Sequence, residues 1–121
     1  MRLLVDTDVF CKLGVACLFD ETLSALKLKA SDCGRLPALP YMLRRGSLPN
    51  KFGSNECNAL IPAAERFAVI GTPDAAWFDL LAPIQVIDPG EAQIFAMAAQ
   101  HSLTVLTGDK RALRAIKDVP V

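Results

Sequence analysis

The sequence contains little of what several common kinds of site require. Its single histidine, His101, argues against Ser-His or Cys-His catalysis and against a histidine-rich zinc site. It has four cysteines, with no CxxC pair and no metal-finger spacing: Cys11, Cys17, Cys33 and Cys57. Cysteines of this kind predict free, mostly buried thiols in the cytosol rather than a disulfide framework.

The sequence also lacks net charge and long apolar runs. Its 13 basic residues balance 13 acidic ones, so any nucleic-acid binding must use a local patch. No apolar run approaches the roughly 18 residues of a membrane span. Asp6 and Asp8 interrupt the region in which a signal peptide would need its apolar segment. We therefore expect a cytoplasmic protein with no membrane partner, folded as a single domain over residues 1–121.

Three short apolar runs predict the sheet. Residues 3–5, 84–87 and 103–106 are rich in branched aliphatic side chains, as expected of strands buried on both faces. Each run ends in a turn that carries a carboxylate and opens a helix. A strand, a crossover helix and a second strand form a βαβ unit, and such units build parallel sheets with right-handed crossovers. The sequence therefore predicts an α/β fold, a parallel sheet flanked by helices.

Three acids, Asp6, Glu91 and Asp109, each stand just beyond the carboxyl end of a predicted strand. That edge of an open α/β sheet is where ligands bind. If the strands are neighbours, the carboxylates converge, and each pair about 5 Å apart repels by roughly 3 kcal/mol. Three such pairs cost on the order of 10 kcal/mol, which is comparable to the stability of a domain. A bound cation or raised pKa values would relieve this repulsion, and oxygen ligands favour Mg²⁺ or Mn²⁺.

Each acid also has an ordinary structural explanation. Asp88, Pro89 and Glu91 match the N-cap, first position and N3 position of a capped helix. Asp109 falls in the first turn of the last helix, where negative charge suits the helix dipole. Asp8 is either a helix cap or an outer ligand of the site.

The remaining segments are predicted from periodicity and from proline and glycine positions. They comprise a helix over 9–19, a helix over 20–29 that Gly34 stops, an extended segment over 38–42, a basic loop over 44–53, a helix over 54–67 that Pro62 kinks or splits, and a short helix over 75–81 capped by Asp74.

Three segments resemble the PIN domain in order, spacing and strand–acid–helix setting. They are Leu-Leu-Val-Asp-Thr-Asp at 3–8, Ile-Asp-Pro-Gly-Glu-Ala at 87–92 and Leu-Thr-Gly-Asp-Lys-Arg at 106–111. The resemblance covers the first ten residues and about the last third of the chain. It implies a three-layer α/β/α fold and a ribonuclease that depends on Mg²⁺ or Mn²⁺. In this family such a ribonuclease is often the toxin of a bacterial toxin–antitoxin pair, so RNA, an antitoxin protein and a second copy of the chain are the implied partners.

The sequence departs from the family in one respect. The family usually carries a further acid at the start of the helix after the second strand. Here the corresponding place, residues 41–45, holds Arg44 and Arg45, and Glu56 is the nearest substitute.

The resemblance assigns roles to particular residues. Asp6, Glu91 and Asp109 are the predicted metal ligands, and Asp8 and Thr107 would support the site from outside, although Thr107 is also a natural cap for the last helix. Two groups of basic residues are candidates for RNA phosphates: Lys110, Arg111 and Arg114 on the last helix, and Arg44, Arg45 and Lys51 in the basic loop. Their ordinary explanation is a solvated basic face.

Two other functions remain open. The Asp6-x-Asp8 pair after an apolar strand resembles the nucleophile motif of haloacid-dehalogenase-type phosphatases, in which Asp6 would attack phosphate and Asp8 would act as general acid. The sequence offers no isolated lysine on an intermediate strand to complete that site. The other function is a non-catalytic PIN-like module that binds RNA or a protein, which the missing fourth acid favours.

Overall fold

A computed structural model describes residues 1–81 and 88–108. They form a sheet of four strands in the order β3-β2-β1-β4: β1 (Leu3–Val5), β2 (Cys33–Arg35), β3 (Ala68–Val69) and β4 (Thr104–Leu106). All three pairings are parallel. The predicted strand at 84–87 and the predicted helix that begins at Asp109 lie outside the described residues.

Helices cover both faces of the sheet, which confirms the predicted α/β class. Seven helices lie within the described ranges: α1 (Thr7–Val15), α2 (Phe19–Ala25), α3 (Leu39–Arg44), α4 (Ser47–Phe52), α5 (Ser54–Arg66), α6 (Ala75–Leu81) and α7 (Pro89–His101). No helix within those ranges has the length and apolar character needed to cross a bilayer.

The alternation of side chains along β1 separates two cores. Leu3 and Val5 pack into a cluster built with α1, α3, α4 and α5. Leu4 points to the other face and packs with Ile94 and Met97 of α7. A smaller cluster joins α7 to α6, where half-buried Trp77 and Phe78 pack against it. The sheet is therefore a middle layer with apolar contacts on each side.

The helices that were best marked in the sequence form where expected. The side chain of Asp88 accepts a hydrogen bond from the backbone N–H of Glu91 at 2.8 Å, so Asp88 is the predicted N-cap of α7. Helix α6 has the predicted bounds. Helix α5 continues through Pro62 as a single helix and is not split, since packing of its buried face outweighs one missing hydrogen bond.

Helices α1 and α2 are both shorter than predicted. Cys17 and Lys27 adopt left-handed backbone conformations, with φ of 58° and 57°, and these end the two helices. In each case the N–H of the left-handed residue donates to a carbonyl of the last turn.

The second strand is where the sequence analysis was wrong. It lies at Cys33–Arg35, so Gly34 is a strand residue and does not stop a helix. A Cβ at Gly34 would lie 2.5 Å from Met1 Sδ and 2.7 Å from Leu4 Cδ2, so close packing explains the glycine. The segment predicted as extended is instead the start of α3. Pro40 lies in its first turn, where a missing N–H leaves no hydrogen bond unmade.

Two further differences concern short elements. The predicted basic loop contains helix α4, which lies between Gly46 and Gly53; both glycines have positive φ values, 94° and 100°. Those glycines make the sharp turns that separate α3, α4 and α5. Strand β3 was not predicted, because two residues carry no periodic signal.

The cysteines agree with the prediction of free thiols. All four are unpaired with one another; Cys17 is exposed, and Cys11, Cys33 and Cys57 are buried. Burial raises the pKa of the Cys11 thiol to about 12 and shifts those of Cys33 and Cys57 in the same direction.

Candidate active site

A cleft of about 1320 Å³ opens at the carboxyl-terminal edge of the sheet. Its wall includes residues just beyond the carboxyl ends of β1, β2 and β4, together with the first turn of α7 and parts of α1 and α4. The charged side chains of the described wall are Asp6, Asp8, Asp88, Glu91, Lys12 and Lys51. Two of the three predicted metal ligands, Asp6 and Glu91, therefore share one cavity.

Asp6 is tied to the neighbouring strand by two hydrogen bonds. Its backbone N–H donates to the carbonyl of Leu106 at 3.0 Å. The hydroxyl of Thr107 donates to Asp6 Oδ2, also at 3.0 Å. Both bonds arise because β1 and β4 are parallel neighbours, with Val5 opposite Leu106. The side chain of Thr107 therefore contacts the carboxylate of Asp6 directly.

Asp6 is a buried carboxylate with acidic neighbours. Only 7% of the residue is exposed. Burial raises its pKa above the ordinary value of 3.8, and the charges of Asp8 and Asp88 act in the same direction. The hydrogen bond from Thr107 opposes the shift without cancelling it. The folded chain therefore disfavours the charged form of Asp6 in the absence of a cation.

The start of α7 brings two more carboxylates to the cleft. Glu91 lies in the first turn, and its Oε2 atom is buried. Asp88 caps the helix and also lies close enough to Asp6 to raise its pKa. The sequence analysis treated Asp88 as a cap alone, so its second position at the cleft was missed. Its position immediately after a predicted strand was the available signal.

Asp8 has a different environment from Asp6. Lys12 Nζ lies 2.8 Å from Asp8 Oδ2, and Lys51 Nζ lies 2.7 Å from Asp8 Oδ1. Partial burial acts to raise the pKa of Asp8, but the hydrogen bonds and charges of Lys12 and Lys51 outweigh it, so the pKa is lowered. The charged form of Asp8 is therefore favoured, and each of its two oxygens contacts the ammonium group of one lysine.

Other predicted residues lie elsewhere. Glu56 is exposed in the first turn of α5, where its carboxylate lies over Gly53, and it does not line the cleft. Arg44 ends α3 and lies 4.0 Å from Glu65, and Arg45 is exposed outside the cleft wall. Four of the predicted residues, Asp109, Lys110, Arg111 and Arg114, lie outside the described residues.

Residues 1–81 and 88–108 hold no group of three histidine, cysteine or acidic side chains close enough together to bind a metal ion. The third acid of the predicted set, Asp109, belongs to the part of the chain beyond those ranges. The donors that do reach the cleft are carboxylate oxygens, which suit Mg²⁺ and Mn²⁺ better than softer metals.

No protein-family model matches the sequence, and no curated protein is significantly similar to it.

Arg35 is a buried cation that the sequence analysis did not single out. It is 6% exposed and follows Gly34 at the end of β2. Its guanidinium donates to the carbonyls of Ala64, Leu36 and Pro37 at 3.1, 3.1 and 3.2 Å. Since Leu36 and Pro37 line the cleft, Arg35 holds that wall against the last turn of α5. The position of Arg35 directly before the apolar residues 36–39 was the only sequence signal.

Proposed function

We propose that the protein is a ribonuclease that hydrolyses phosphodiester bonds with Mg²⁺ or Mn²⁺ held by Asp6, Glu91 and Asp109. The observation that supports this most directly is the arrival of Asp6 and Glu91, from distant parts of the chain, in one cleft at the ligand-binding edge of a parallel sheet. Asp109 is only two residues beyond Thr107, whose hydroxyl donates to Asp6.

The residues of the cleft fit a hard divalent cation. Burial and neighbouring acids raise the pKa of Asp6, and a cation would reverse that shift by favouring the carboxylate. Carboxylate oxygens are the ligands that Mg²⁺ and Mn²⁺ prefer. Such a cation, when bound, supplies an acidified water and stabilises negative charge on phosphate.

The chain's own residues would prepare the site. Thr107 holds one oxygen of Asp6, which restricts the direction in which the carboxylate points. Asp88 fixes the first turn of α7 and so places Glu91. Lys12 and Lys51 each contact one oxygen of Asp8, and they lower its pKa, which favours its charged form.

The resemblance to PIN domains adds a reaction product, a cellular role and protein partners to the proposal. It supports a product with a 5′-phosphate, a role as the toxin of a toxin–antitoxin pair and a cytoplasmic location. An antitoxin protein and a second copy of the chain are the protein partners that it implies.

Calorimetric titration with Mn²⁺ tests the metal site, and the chain offers a matched control. Glu91 and Glu56 each occupy the third position of a 13-residue helix, but only Glu91 lines the cleft. We expect saturable binding by the wild type, retained in Glu56→Gln. We expect it to weaken at least about tenfold in Glu91→Gln and in Asp109→Asn, since even residues that only orient ligands cost that much. Equal binding by the two glutamine variants would contradict the proposal.

Hydrolysis is tested separately with labelled RNA. The wild type should cleave in Mn²⁺ and not in EDTA, and the new ends should carry a 5′-phosphate. Metal binding without cleavage of a varied set of RNAs would count against a nuclease.

The phosphatase alternative is weakened by the environment of Asp8. A general acid must hold a proton near neutral pH, whereas the two lysines lower the pKa of Asp8. A covalent aspartyl phosphate trapped on Asp6 would favour the phosphatase.

The non-catalytic alternative is favoured by one observation. Helix α3, which follows the second strand, carries no acid, so the departure from the PIN pattern holds at the observed position of that helix. RNA binding that is indifferent to Mn²⁺ and to Asp109→Asn would favour a binding module.

A further inference from the structure

Two lysines from separate helices meet at one carboxylate on the cleft wall. Lys12 belongs to α1 and Lys51 to α4, and each binds a different oxygen of Asp8. Their side chains are 62% and 59% exposed, so both remain open to a ligand. We call these three residues the lysine pair and its anchor.

The lysine pair keeps binding capacity after its contact with Asp8. Each ammonium has three N–H donors, and the contact with Asp8 engages one of them. A single carboxylate also cannot neutralise two ammonium groups, so the three residues together carry one positive charge. Asp8 holds the two ammonium groups side by side, which lowers the entropy lost when both bind one ligand.

The rest of the cleft determines where a polyanion can lie. The other charged groups of the described wall, Asp6, Asp88 and Glu91, are acidic. An RNA strand in the cleft would be repelled by these carboxylates unless a cation intervenes, and would be attracted at the lysine pair. The acidic groups, through a bound cation, and the two lysines, directly, would therefore contact different parts of one RNA strand.

We propose that Lys12 and Lys51 form a binding site, which we call the seat, for a backbone phosphate of the RNA strand. This phosphate lies next to the one that is hydrolysed, and Asp8 is the positioning residue of the two lysines. This inference rests on the proposed ribonuclease function. Of the predicted basic group in residues 44–53, it keeps Lys51, and it replaces Arg44 and Arg45, which lie outside the cleft, by Lys12, which only the fold brings to Lys51.

Fluorescence anisotropy with a labelled single-stranded RNA of about ten nucleotides tests the seat. The strand carries non-hydrolysable analogues of the phosphodiester, and the titrations are made both in Mn²⁺, which screens the acidic groups, and in EDTA, at several salt concentrations. We expect Lys12→Met and Lys51→Met each to weaken binding roughly fivefold at low salt. Each should also reduce the salt slope by about 0.7, the value for one phosphate contact on a single strand. Lys29→Met, an exposed lysine outside the cleft, is the matched control and should change neither quantity.

Two additional measurements separate the seat from other causes. Lys51→Arg keeps the positive charge and should restore most of the affinity. Urea denaturation should give all four variants nearly the stability of the wild type, since their side chains are exposed. Competition with inorganic phosphate distinguishes a seat for a small anion from one for an RNA strand.

The outcomes divide clearly. The inference is overturned if Lys12→Met and Lys51→Met behave like Lys29→Met, because the lysines would then only neutralise Asp8. It is also overturned if the wild type binds inorganic phosphate but not RNA. The protein could also fail to bind Mn²⁺ while Lys12→Met and Lys51→Met still weaken RNA binding as expected. That result would support the seat and refute the ribonuclease, so the two proposals can fail separately.

Discussion

Replacing Asp6 by asparagine should have opposite effects on stability with and without metal. Asparagine keeps an oxygen that accepts the hydrogen bond from Thr107 but removes a buried negative charge that Asp8 and Asp88 repel. Substitutions that relieve such a site commonly raise the free energy of unfolding by about 1 kcal/mol. For a domain of this size that corresponds to a rise in Tm of about 4 °C.

The pH dependence follows from the direction of the pKa shift. The pKa of Asp6 is raised in the folded protein, so the folded chain keeps the proton to a higher pH than the unfolded chain does. The wild type therefore loses stability as pH rises from about 3.8 through the folded-state pKa. We expect the advantage of Asp6→Asn to be absent at pH 3 and to grow as the pH rises toward 7.

Metal should reverse the order of the two proteins. At a Mn²⁺ concentration about a hundred times Kd, binding stabilises the wild type by about 2.7 kcal/mol. The wild type should then melt about 7 °C above Asp6→Asn at pH 7, whereas in EDTA it melts below it. Thermal unfolding of both proteins, each in EDTA and in Mn²⁺, makes the comparison. Asp20→Asn, an exposed acid in the first turn of α2, is the control and should behave as the wild type.

Either of two results would refute this reasoning. If Asp6→Asn is less stable than the wild type in EDTA at pH 7, then favourable contacts of the Asp6 carboxylate outweigh the cost of burying its charge. If Mn²⁺ raises the Tm of both proteins equally, then Asp6 is not a ligand.

Three further predictions follow from individual contacts. Thr107→Val removes the hydroxyl bound to Asp6 and should lower the free energy of unfolding at pH 7 by about 1.5 kcal/mol in urea denaturation, whereas Thr107→Ser should not. Gly34→Ala places a Cβ against packed side chains and should cost about 1–3 kcal/mol, and Gly71→Ala, with open space at the Cβ, is its control. A thiol reagent at pH 8 should modify Cys17 rapidly in the native protein and the three buried cysteines only on unfolding. Rapid modification of a second thiol in the native protein would contradict the burial of those three cysteines.

Features with a local cause were predicted well. The strand at residues 3–5 is an apolar run, and the start of α7 carries its N-cap, proline and first-turn acid within four residues. Helices α5 and α6 also have boundaries close to those predicted. Each of these signals lies within the element that it specifies, so it is present before the chain folds.

The second strand was misplaced because its cause is not local. Cys33–Arg35 has no alternating or continuous apolar pattern, and Gly34 alone suggests a turn. The glycine is required because Met1 and Leu4 of the neighbouring strand region and Ile70 approach it closely. Because the strand at Cys33–Arg35 was missed, the extended segment was predicted at residues 38–42, most of which belong to α3.

The sequence by itself determined that Asp6 follows a strand and that Asp88 caps α7, because strand ends and helix caps depend on neighbouring residues. Only the tertiary structure decided what each acid meets. Asp6 and Thr107 are 101 positions apart, and Asp8 and Lys51 are 43 apart. Parallel pairing of β1 with β4 creates the first contact, and packing of both α1 and α4 against α5 creates the second. The two aspartates at the start of α1 thus differ in pKa direction because one is buried among acids and the other is held by lysines.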